Sequence, residues 1–334
     1  MSLELREPLE AGLTSIVIPC YNAARFVGKT LESAFSQTYT LTEIIVVDDG
    51  STDGSAELIR AYGNRVKAEF GPNRGGGAAR NRGTALACGE FIQYLDADDL
   101  LMPDAIEKRV AALQQSTADV AYSDFETLIE SKADEFEAGD RVARHIEEFH
   151  ASPDLAMLKG FWVPLAALTY RQSIVAKLGG WREELPVFQD GRFMMDAALV
   201  GARFVHVPGV HAQYRVHHTS LSRRTSESTF ALAAFRNASA WHNAFEGKGE
   251  LNPERRSAIA RMYSFAARSL FFHDRIAFRD CVERLYEVEP GFKLSWPKVA
   301  QLTSSMIGFK RAGRLIAASV ALRRTLRRRW PQSQ

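Results

Sequence analysis

The chain has 334 residues, 46% of them hydrophobic and 25% charged, which is typical of one large globular domain with an appendage, or of two domains. Its net charge is only +2, and its three cysteines lack the spacing of a metal site, so we interpret them as free thiols in a reducing compartment. The N-terminal "MSLELREPLE" lacks the apolar core of a signal peptide, and no run reaches the roughly 18 apolar residues of a membrane span. A cytoplasmic protein is therefore expected.

Strands and helices alternate along the first 125 residues. Five apolar runs predict buried strands: "TSIVIP", "EIIVVDD", "VKAEFG", "EFIQYLDAD" and "ADVAYSDF". Four segments between them have apolar residues at helical spacing: "AARFVGKTLESAFSQ", "SAELIRAYG", "GGAARNRGTALACG" and "PDAIEKRVAALQQS". This alternation predicts an α/β fold with a mostly parallel, Rossmann-like sheet and helices on both of its faces.

Polar clusters follow four of these strands: "CYN", "DDGSTDGS", "GPNRGGG" and "DADD". In open α/β sheets ligands bind beyond the carboxyl ends of the strands. The four loops should therefore converge on one crevice.

The pattern changes after residue 125. Residues 126–152 are charged and lack a clear apolar stripe, which suggests a mobile flap. The next segments predict a strand and short helix in "FWVPLAALTYRQSIVAKLGGW", a helix in "QDGRFMMDAALVGAR" and an extended pair in "FVHVPGVHAQYRVH". Helical patterns then dominate from Thr225 to Val288. We expect a sheet domain over residues 1–222 and a helical C-terminal region over residues 223–334.

Asp96 and Asp98 lie two residues apart in an extended segment, so their carboxylates point the same way. Hard oxygen ligands of this kind suit Mg²⁺ or Mn²⁺ bound together with substrate phosphates. In the alternative, the segment is a polar loop in which Asp98 or Asp99 caps the next helix. The position at a strand end on the shared edge favours the metal site.

Asp49 follows the second strand, where a carboxylate can accept the ring N–H of uracil or thymine. Tyr21 would offer an aromatic face. The alternative is an ordinary Asp-Gly turn with Ser51 or Asp53 capping the next helix, and for Asp53 we prefer that alternative.

Glycines in "GPNRGGGAARNRG" precede a predicted helix, as in phosphate-binding loops. The segment lacks the lysine of a nucleoside-triphosphate loop and the spacing of a dinucleotide fingerprint. Arg80 and Arg82 either face a diphosphate or lie on a solvated helix face.

Together these motifs resemble glycosyltransferase family 2, which are inverting enzymes of the GT-A fold. The resemblance rests on "SIVIPCYNAARFVGKTLESAFSQTY", "EIIVVDDGSTDGS" and "NRGGGAARNRGTALACGEFIQYLDADD", in this order and with similar gaps. It implies a nucleotide-diphospho-sugar donor and a Mn²⁺ or Mg²⁺ cofactor. By resemblance the metal motif is Asp96 and Asp98, and the nucleotide is bound by Pro19, Tyr21, Asn22, Asp49, Arg80 and Asp96.

The same resemblance implies a catalytic base in "LPVFQDGRFMMDAAL", where Asp190 matches the family's acid and Gln189 replaces its usual Glu. A carboxylate there would take the proton of the acceptor hydroxyl, and the neutral Gln189 leaves it with less like-charge repulsion. In the alternative, Asp190 caps the following helix. In "YRVHHTSLS", His217 falls where it could reach the metal or the diphosphate, with Arg215 nearby. The alternative is a surface histidine pair.

Residues 291–334 contain ten Lys or Arg and no Asp or Glu, which leaves 32 basic and 40 acidic residues in the first 290. Leu315, Leu322, Leu326 and Trp330 lie among these arginines near helical spacing. This suits an amphipathic helix on the anionic surface of a membrane, where a peripheral enzyme would meet a lipid-linked acceptor. A solvated terminal helix is an equal alternative, and nucleic-acid binding comes third because no recognition module accompanies the arginines.

Two other classes of protein could have the same fold as the predicted transferase. A sugar nucleotidyltransferase would carry a basic glycine-rich loop after the first strand, and "PCYNAARF" is not such a loop. In a non-catalytic sugar-nucleotide or glycan-binding protein, the substitution Asp190→Asn would leave ligand binding unchanged. The leading prediction is a metal-dependent transferase that uses a UDP-sugar or, next, a dTDP-sugar, with a glycan or lipid-linked acceptor.

Overall fold

The computed structural model describes residues 9–133, 135–142 and 147–292. Contacts within the chain divide it into two compact units, Met1–Thr225 and Ser226–Gln334. Within the described ranges, no helix is both long enough and apolar enough to cross a membrane. The amphipathic helix predicted around Leu315–Trp330 lies outside the described residues.

A mixed sheet forms the centre of the first unit. Among the described residues it has nine strands: β1 (Glu10–Cys20), β2 (Thr42–Asp48), β3 (Lys67–Phe70), β4 (Gly89–Tyr94), β5 (Leu100–Leu101), β6 (Val120–Lys132), β7 (Glu135–Val142), β8 (Leu168–Arg171) and β9 (Phe204–Val216). Their spatial order is β3-β2-β1-β4-β8-β6-β9-β5, with β7 beside β6. Strands β1 to β4 pair in parallel, as do β6 and β9, whereas β8 is antiparallel to both its neighbours. The predicted mostly parallel α/β sheet is confirmed.

Helices connect these strands. In the first unit they are α1 (Val27–Phe35), α2 (Ser55–Ala61), α3 (Gly76–Leu86), α4 (Ala105–Gln114), α5 (Glu147–Ala151), α6 (Pro153–Leu158), α7 (Gln172–Leu178), α8 (Gln189–Leu199) and α9 (Leu221–Arg224). Helix α1 buries Val27, Leu31 and Ala34, the spacing that places side chains on one helix face. Helix α3 packs closely, because a Cβ on Gly83 would lie 2.5 Å from a methyl carbon of Val17 in β1.

The carboxyl ends of β1, β2 and β3 lie level, and β4 ends three residues earlier on the same side of the sheet. Cys20 at the end of β1 is paired with Asp48 at the end of β2, and Asp48 with Phe70 at the end of β3. Strand β4 ends at Tyr94, which is paired with Val17. The loops after all four strands therefore leave the sheet at one edge, as the sequence predicted.

The predicted flap at residues 126–152 is instead largely a β-hairpin. Strand β6 continues to Lys132, and β7 returns beside it in antiparallel pairing. The partly buried positions of β7 include Phe136, Gly139 and Val142, three residues apart. They lack the alternation by which a strand is recognised, and this explains why the sequence did not indicate the hairpin.

The predicted extended pair at residues 204–217 is one long strand, β9. Its pairing with β6 passes from Ser123–Val207 to Asp124–Val210, so Pro208 and Gly209 form a bulge. The Asp124 carboxylate accepts a hydrogen bond from the Gly209 amide at 3.0 Å. Because this bond holds the bulge against β6, the chain does not turn back at the Pro-Gly pair.

The second unit contains three helices among its described residues: α10 (Glu227–Gly247), α11 (Pro253–His273) and α12 (Arg275–Val288). Each begins at a capping side chain, with Ser226, Asn252 and Asp274 accepting hydrogen bonds from amides of the first turn. The predicted helical C-terminal region is confirmed for these residues.

Candidate active site

Three aspartates meet directly after β4. Carboxylate oxygens of Asp96, Asp98 and Asp99 all lie within 4.8 Å of one another. The Asp99 amide donates to the Asp96 carbonyl at 3.0 Å, so the chain turns tightly here. Helix α4 has Asp104 at its N-cap position, and the alternative in which Asp98 or Asp99 caps that helix is wrong.

Each of these aspartates has a separate hydrogen-bond donor. Asp96 accepts from Arg80 Nη2 at 2.6 Å, and Asp98 Oδ2 lies 3.0 Å from His217 Nε2. Asp99 Oδ1 accepts from the Arg215 amide at 2.9 Å. These donors partly offset the electrostatic repulsion among the three close carboxylates.

The repulsion nevertheless persists. Burial raises the pKa of Asp96, the charge of Arg80 opposes the rise, and the charge of Asp98 adds to it. Asp99 is only 1% exposed, and burial together with the charges of Asp98 and Asp96 raises its pKa well above the ordinary value. Two neighbouring acids whose pKa values are raised in this way, of which Asp99 is fully buried, favour the binding of a cation.

Residues 96–99 form what we call the aspartate turn. Arg215, which lies on β9, holds the backbone of this turn in place. Its Nε atom donates to the Asp98 carbonyl, and its Nη2 atom donates to Thr30 Oγ1 at 2.7 Å. The Thr30 oxygen also lies 2.8 Å from the Ala97 carbonyl and 2.9 Å from the Asp99 carbonyl. The sequence predicted Arg215 only as a neighbour of His217, and it gave no signal for Thr30.

His217 is buried beside the aspartates and is only 3% exposed. Its ring centroid lies 4.2 Å from that of Phe26, and its Nδ1 atom is 2.9 Å from Thr219 Oγ1. The alternative of a surface histidine is therefore wrong. With one ring nitrogen toward Thr219, the other is directed at Asp98.

Asp49 holds the glycine-rich loop in place. Its carboxylate accepts from the amides of Arg74 and Gly75, the latter at 2.7 Å, and from Arg82 Nη2 at 2.9 Å. The side chain is buried. Arg82 also lies 3.6 Å from Glu69, so its contacts are with these two acids. Base recognition by Asp49 stays a prediction, and the structure adds a second role for the residue.

The other predicted nucleotide residues lie on the first loop and at the end of β1. Tyr21 is 46% exposed, and Pro19 in β1 is paired with Val47 of β2. Asn22 has a positive φ of 50° and accepts from the Thr52 amide at 2.8 Å, which joins the first loop to the second. Asp53 accepts hydrogen bonds from the Ser55 amide at 3.0 Å and from the Ala24 amide at 2.9 Å. The N-cap position of α2 is held by Gly54, so the predicted capping role of Asp53 is wrong, and its carboxylate instead joins the first loop to the start of α2.

The first turn of α3 lies against the segment that leads to α8. A Cβ on Gly77 would lie 3.2 Å from both the Arg182 carbonyl oxygen and Gln189 Nε2. This close approach explains the glycine. Arg80, one turn later, donates to Gln189 Oε1 at 2.7 Å as well as to Asp96, so it joins the aspartate turn to the start of α8.

Asp190 is the second residue of α8, whose N-cap position is held by Phe188. The alternative in which Asp190 is the N-cap is therefore wrong. Its Oδ2 atom accepts a hydrogen bond from the indole Nε1–H of Trp162, and that indole packs edge-to-face on Phe125 and Tyr214. Trp162 was missed because its segment "FWVPLAAL" has the composition of a buried strand.

Comparisons with known proteins agree with this arrangement. The model of the family "Glycosyl transferase family 2" matches residues 15–159. An uncharacterized glycosyltransferase of Nostoc sp. is 30% identical over 227 residues, which are 64% of this chain and 69% of that protein. The glycosyltransferase GlyG of Streptococcus pneumoniae is 39% identical over 123 residues, but the match covers only 36% of this chain and 41% of GlyG.

Two solved structures share the fold. A crystal structure of residues 1–349 of Staphylococcus aureus TarS, in complex with UDP-GlcNAc, has a TM-score of 0.66 at 17% identity and covers 93% of this chain and 92% of that one. The mannosyltransferase PcManGT of Pyrobaculum calidifontis, in complex with GDP-Man and Mn²⁺, has a TM-score of 0.52 at 16% identity and covers 98% and 92%. The fold is thus of the GT-A type, and the chain belongs to glycosyltransferase family 2 and is a glycosyltransferase.

Proposed function

We propose that this enzyme transfers a sugar from a nucleoside-diphosphate donor to an acceptor hydroxyl, with a divalent cation and with inversion. The observation that carries the proposal is the group of Asp96, Asp98 and Asp99 at the carboxyl edge of the sheet. Arg80 joins this group to the helix that bears Asp190. TarS with UDP-GlcNAc and PcManGT with GDP-Man and Mn²⁺ support the same ligand classes on a similar fold.

The residues of the aspartate turn fit a hard divalent cation. Among the described residues, Asp99 Oδ2 is buried without a hydrogen-bond partner, and the raised pKa values of Asp96 and Asp99 arise partly from like charge. Asp96, Asp98 and His217 would hold Mn²⁺ or Mg²⁺, since carboxylate oxygens and imidazole nitrogens are ligands of such ions. When bound, the ion offsets the negative charge on the departing diphosphate.

Asp190 is the proposed general base. Its Oδ2 atom is occupied by the Trp162 N–H, which leaves Oδ1 to accept the proton of the acceptor hydroxyl. The oxygen freed of its proton forms the new bond to the anomeric carbon while the bond to the diphosphate oxygen breaks. Displacement from the opposite face inverts this carbon without a covalent intermediate on the enzyme.

We propose UDP as the nucleotide, with dTDP second, because the base of each has a ring N–H that could donate a hydrogen bond to the Asp49 carboxylate. Tyr21, whose side chain is 46% exposed, would stack on the base. The acceptor is proposed to be a hydroxyl of a glycan or of a lipid-linked glycan.

The test compares Asp190→Asn with Asp140→Asn, since Asp140 is an exposed acid on β7. We expect Asp190→Asn to lower kcat for sugar transfer by roughly 10²–10⁴-fold, the usual contribution of a general base, while donor binding persists. Asp140→Asn should match the wild type. Transfer by Asp190→Asn at the wild-type rate, or a product with retained anomeric configuration, would contradict this mechanism.

A further inference from the structure

Helix α11 presents aromatic side chains to solvent along one stripe. Phe265 is 60% exposed and Phe272 is 47% exposed. Arg261 and Arg268 are also exposed. Because the four residues follow one another at spacings of three or four, they share one face of the helix, and arginines alternate with phenyl rings along it.

The first turn of α12, which follows α11 after Asp274, also exposes a large apolar side chain and an arginine. Ile276 is 70% exposed and Arg275 is exposed too. Beneath this corner the Phe271 ring packs edge-to-face on Phe272 and Phe278, with centroids 5.0 and 5.3 Å away. The exposed Phe272 ring is therefore supported by aromatic packing against the buried Phe271. We call this surface the α11–α12 patch, and it comprises Arg261, Phe265, Arg268, Phe272, Arg275 and Ile276.

The acids nearest in sequence are engaged in other contacts. The Asp274 carboxylate caps α12 by accepting from the amides of Ile276 and Ala277, each at 3.0 Å. Asp280 lies 3.3 Å from Arg279. The patch contains three arginines, and the one carboxylate between its members in the sequence is that of Asp274, so its net formal charge is positive.

We propose that the α11–α12 patch docks on an anionic lipid bilayer. Phenyl and isoleucine side chains can enter the boundary between headgroups and acyl chains, while arginine stems lie along it and their guanidinium groups pair with lipid phosphates. Exposed apolar residues are ordinary when they are scattered singly, but here two of them share one helix face with cations. This inference concerns where the enzyme binds, and it does not depend on the chemistry proposed for the active site.

Charge disfavours two occupants that this chain itself could supply. Residues 291–334 carry ten basic and no acidic residues, so the patch and this segment would repel each other. A symmetric contact with a second copy would set patch against patch and again bring arginines together. The segment 291–334, which mixes Leu and Trp with arginines, has the same complementarity to an anionic bilayer as the patch that precedes it in the chain.

The test uses the full chain and vesicles of phosphatidylcholine with or without phosphatidylglycerol. We expect sedimentation with anionic vesicles and little with neutral ones. Phe265→Ser combined with Phe272→Ser should weaken this binding by about tenfold or more, because about 0.8 kcal/mol is lost per buried CH₂ group. Arg261→Gln and Arg275→Gln should each weaken it roughly fivefold, since each basic residue contributes about 1 kcal/mol.

Matched controls lie on the first unit. Leu58 on α2 is 42% exposed and Lys108 on α4 is exposed, and Leu58→Ser and Lys108→Gln should bind vesicles as the wild type does. Thermal melting of each variant excludes misfolding. Wild-type affinity of the patch variants would overturn the proposal, as would a dimer in light scattering that the patch variants dissociate.

A reporter of location gives a second readout. An environment-sensitive fluorophore on Phe265→Cys, in a Cys88→Ser background because Cys20 and Cys281 are buried, should shift to shorter wavelength on anionic vesicles. The same fluorophore on Leu58→Cys should not shift. Equal behaviour at the two positions would count against docking through the patch.

Discussion

At the scale of single residues, the distribution of charge around Asp96, Asp98 and Asp99 determines what the site can bind. Arg80 and His217 each pair with one carboxylate, and Asp99 takes its contact from a backbone amide. Arg80 also bonds to Gln189, the residue at which the chain departs from the family's usual Glu. A glutamate there would add a negative charge close to Asp96, whereas the glutamine accepts the hydrogen bond from Arg80 Nη1 without adding charge.

Trp162→Phe tests how the proposed base is oriented. The variant keeps an aromatic ring beside Phe125 and Tyr214 but removes the N–H donated to Asp190. A hydrogen bond to a charged group is worth about 1.5–3 kcal/mol, so kcat for sugar transfer should fall by roughly 10–100-fold.

Steady-state kinetics with a varied donor concentration measure this effect. The KM for the donor should change little, because the indole contacts the proposed base and not the aspartate turn. An unchanged kcat, or a loss confined to KM, would exclude the positioning role.

The sequence predicted some of these residues and not others. Asp96, Asp98 and Asp49 were recognisable because each directly follows an apolar strand run. Trp162 lies 28 residues before its partner Asp190, and Thr30 lies 185 residues before Arg215. No local spacing indicates contacts of that range, since they arise only when distant elements pack together in the folded chain.

At the scale of elements, the β6–β7 hairpin borders the aspartate turn. Glu130 on β6 accepts from Arg25 Nη2 at 2.6 Å and from the His218 amide at 3.0 Å. The Phe136 ring on β7 lies 6.3 Å from that of Phe26, which in turn packs on His217. The hairpin is thus joined to both segments that enclose His217.

Glu130→Gln tests how strongly this junction stabilises the fold. The hydrogen bond from Arg25, followed by that from the His218 amide, lowers the pKa of Glu130 to about 2. Because the folded-state pKa lies below the ordinary 4.5, this stabilisation is complete above pH 4.5 and is lost as the pH falls toward 2. The variant should be less stable than the wild type at pH 6, and the difference should shrink on acidification.

Urea unfolding at pH 6, 5, 4 and 3 measures this difference in the free energy of unfolding. Glu137→Gln is the control, since Glu137 is an exposed acid on the same hairpin and its variant should follow the wild type more closely. A gap between wild type and Glu130→Gln that stays constant from pH 6 to pH 3 would contradict the coupling.

The strands and helices differed in how far the sequence predicted them. β1 to β4 and the helices between them were predicted because each combines a clear period with a turn at its end. The hairpin was not, because β7 is largely exposed and does not alternate. Residues 204–217 were predicted as an extended pair but form the single strand β9, because Asp124 holds the bulge at Pro208 and Gly209 in the sheet.

At the scale of the whole molecule, charge is segregated along the chain. The first 290 residues carry a formal charge of −8 and residues 291–334 carry +10. The acidic part includes the aspartate turn, and the basic part follows directly on the helical unit that bears the α11–α12 patch. This segregation suits an enzyme that binds a cation and an anionic donor at one place and an anionic surface at another.

We propose that Asp98 and its neighbours hold a divalent cation on which donor binding depends. The most direct measurement is calorimetric titration of the wild type and Asp98→Asn with UDP, in Mn²⁺ and in EDTA. We expect the wild type to bind UDP in Mn²⁺ and to lose most of that affinity in EDTA, while Asp98→Asn binds weakly in both. Equal affinity of the wild type with and without the metal, or an Asp98→Asn variant that keeps the metal-dependent gain, would contradict the claim.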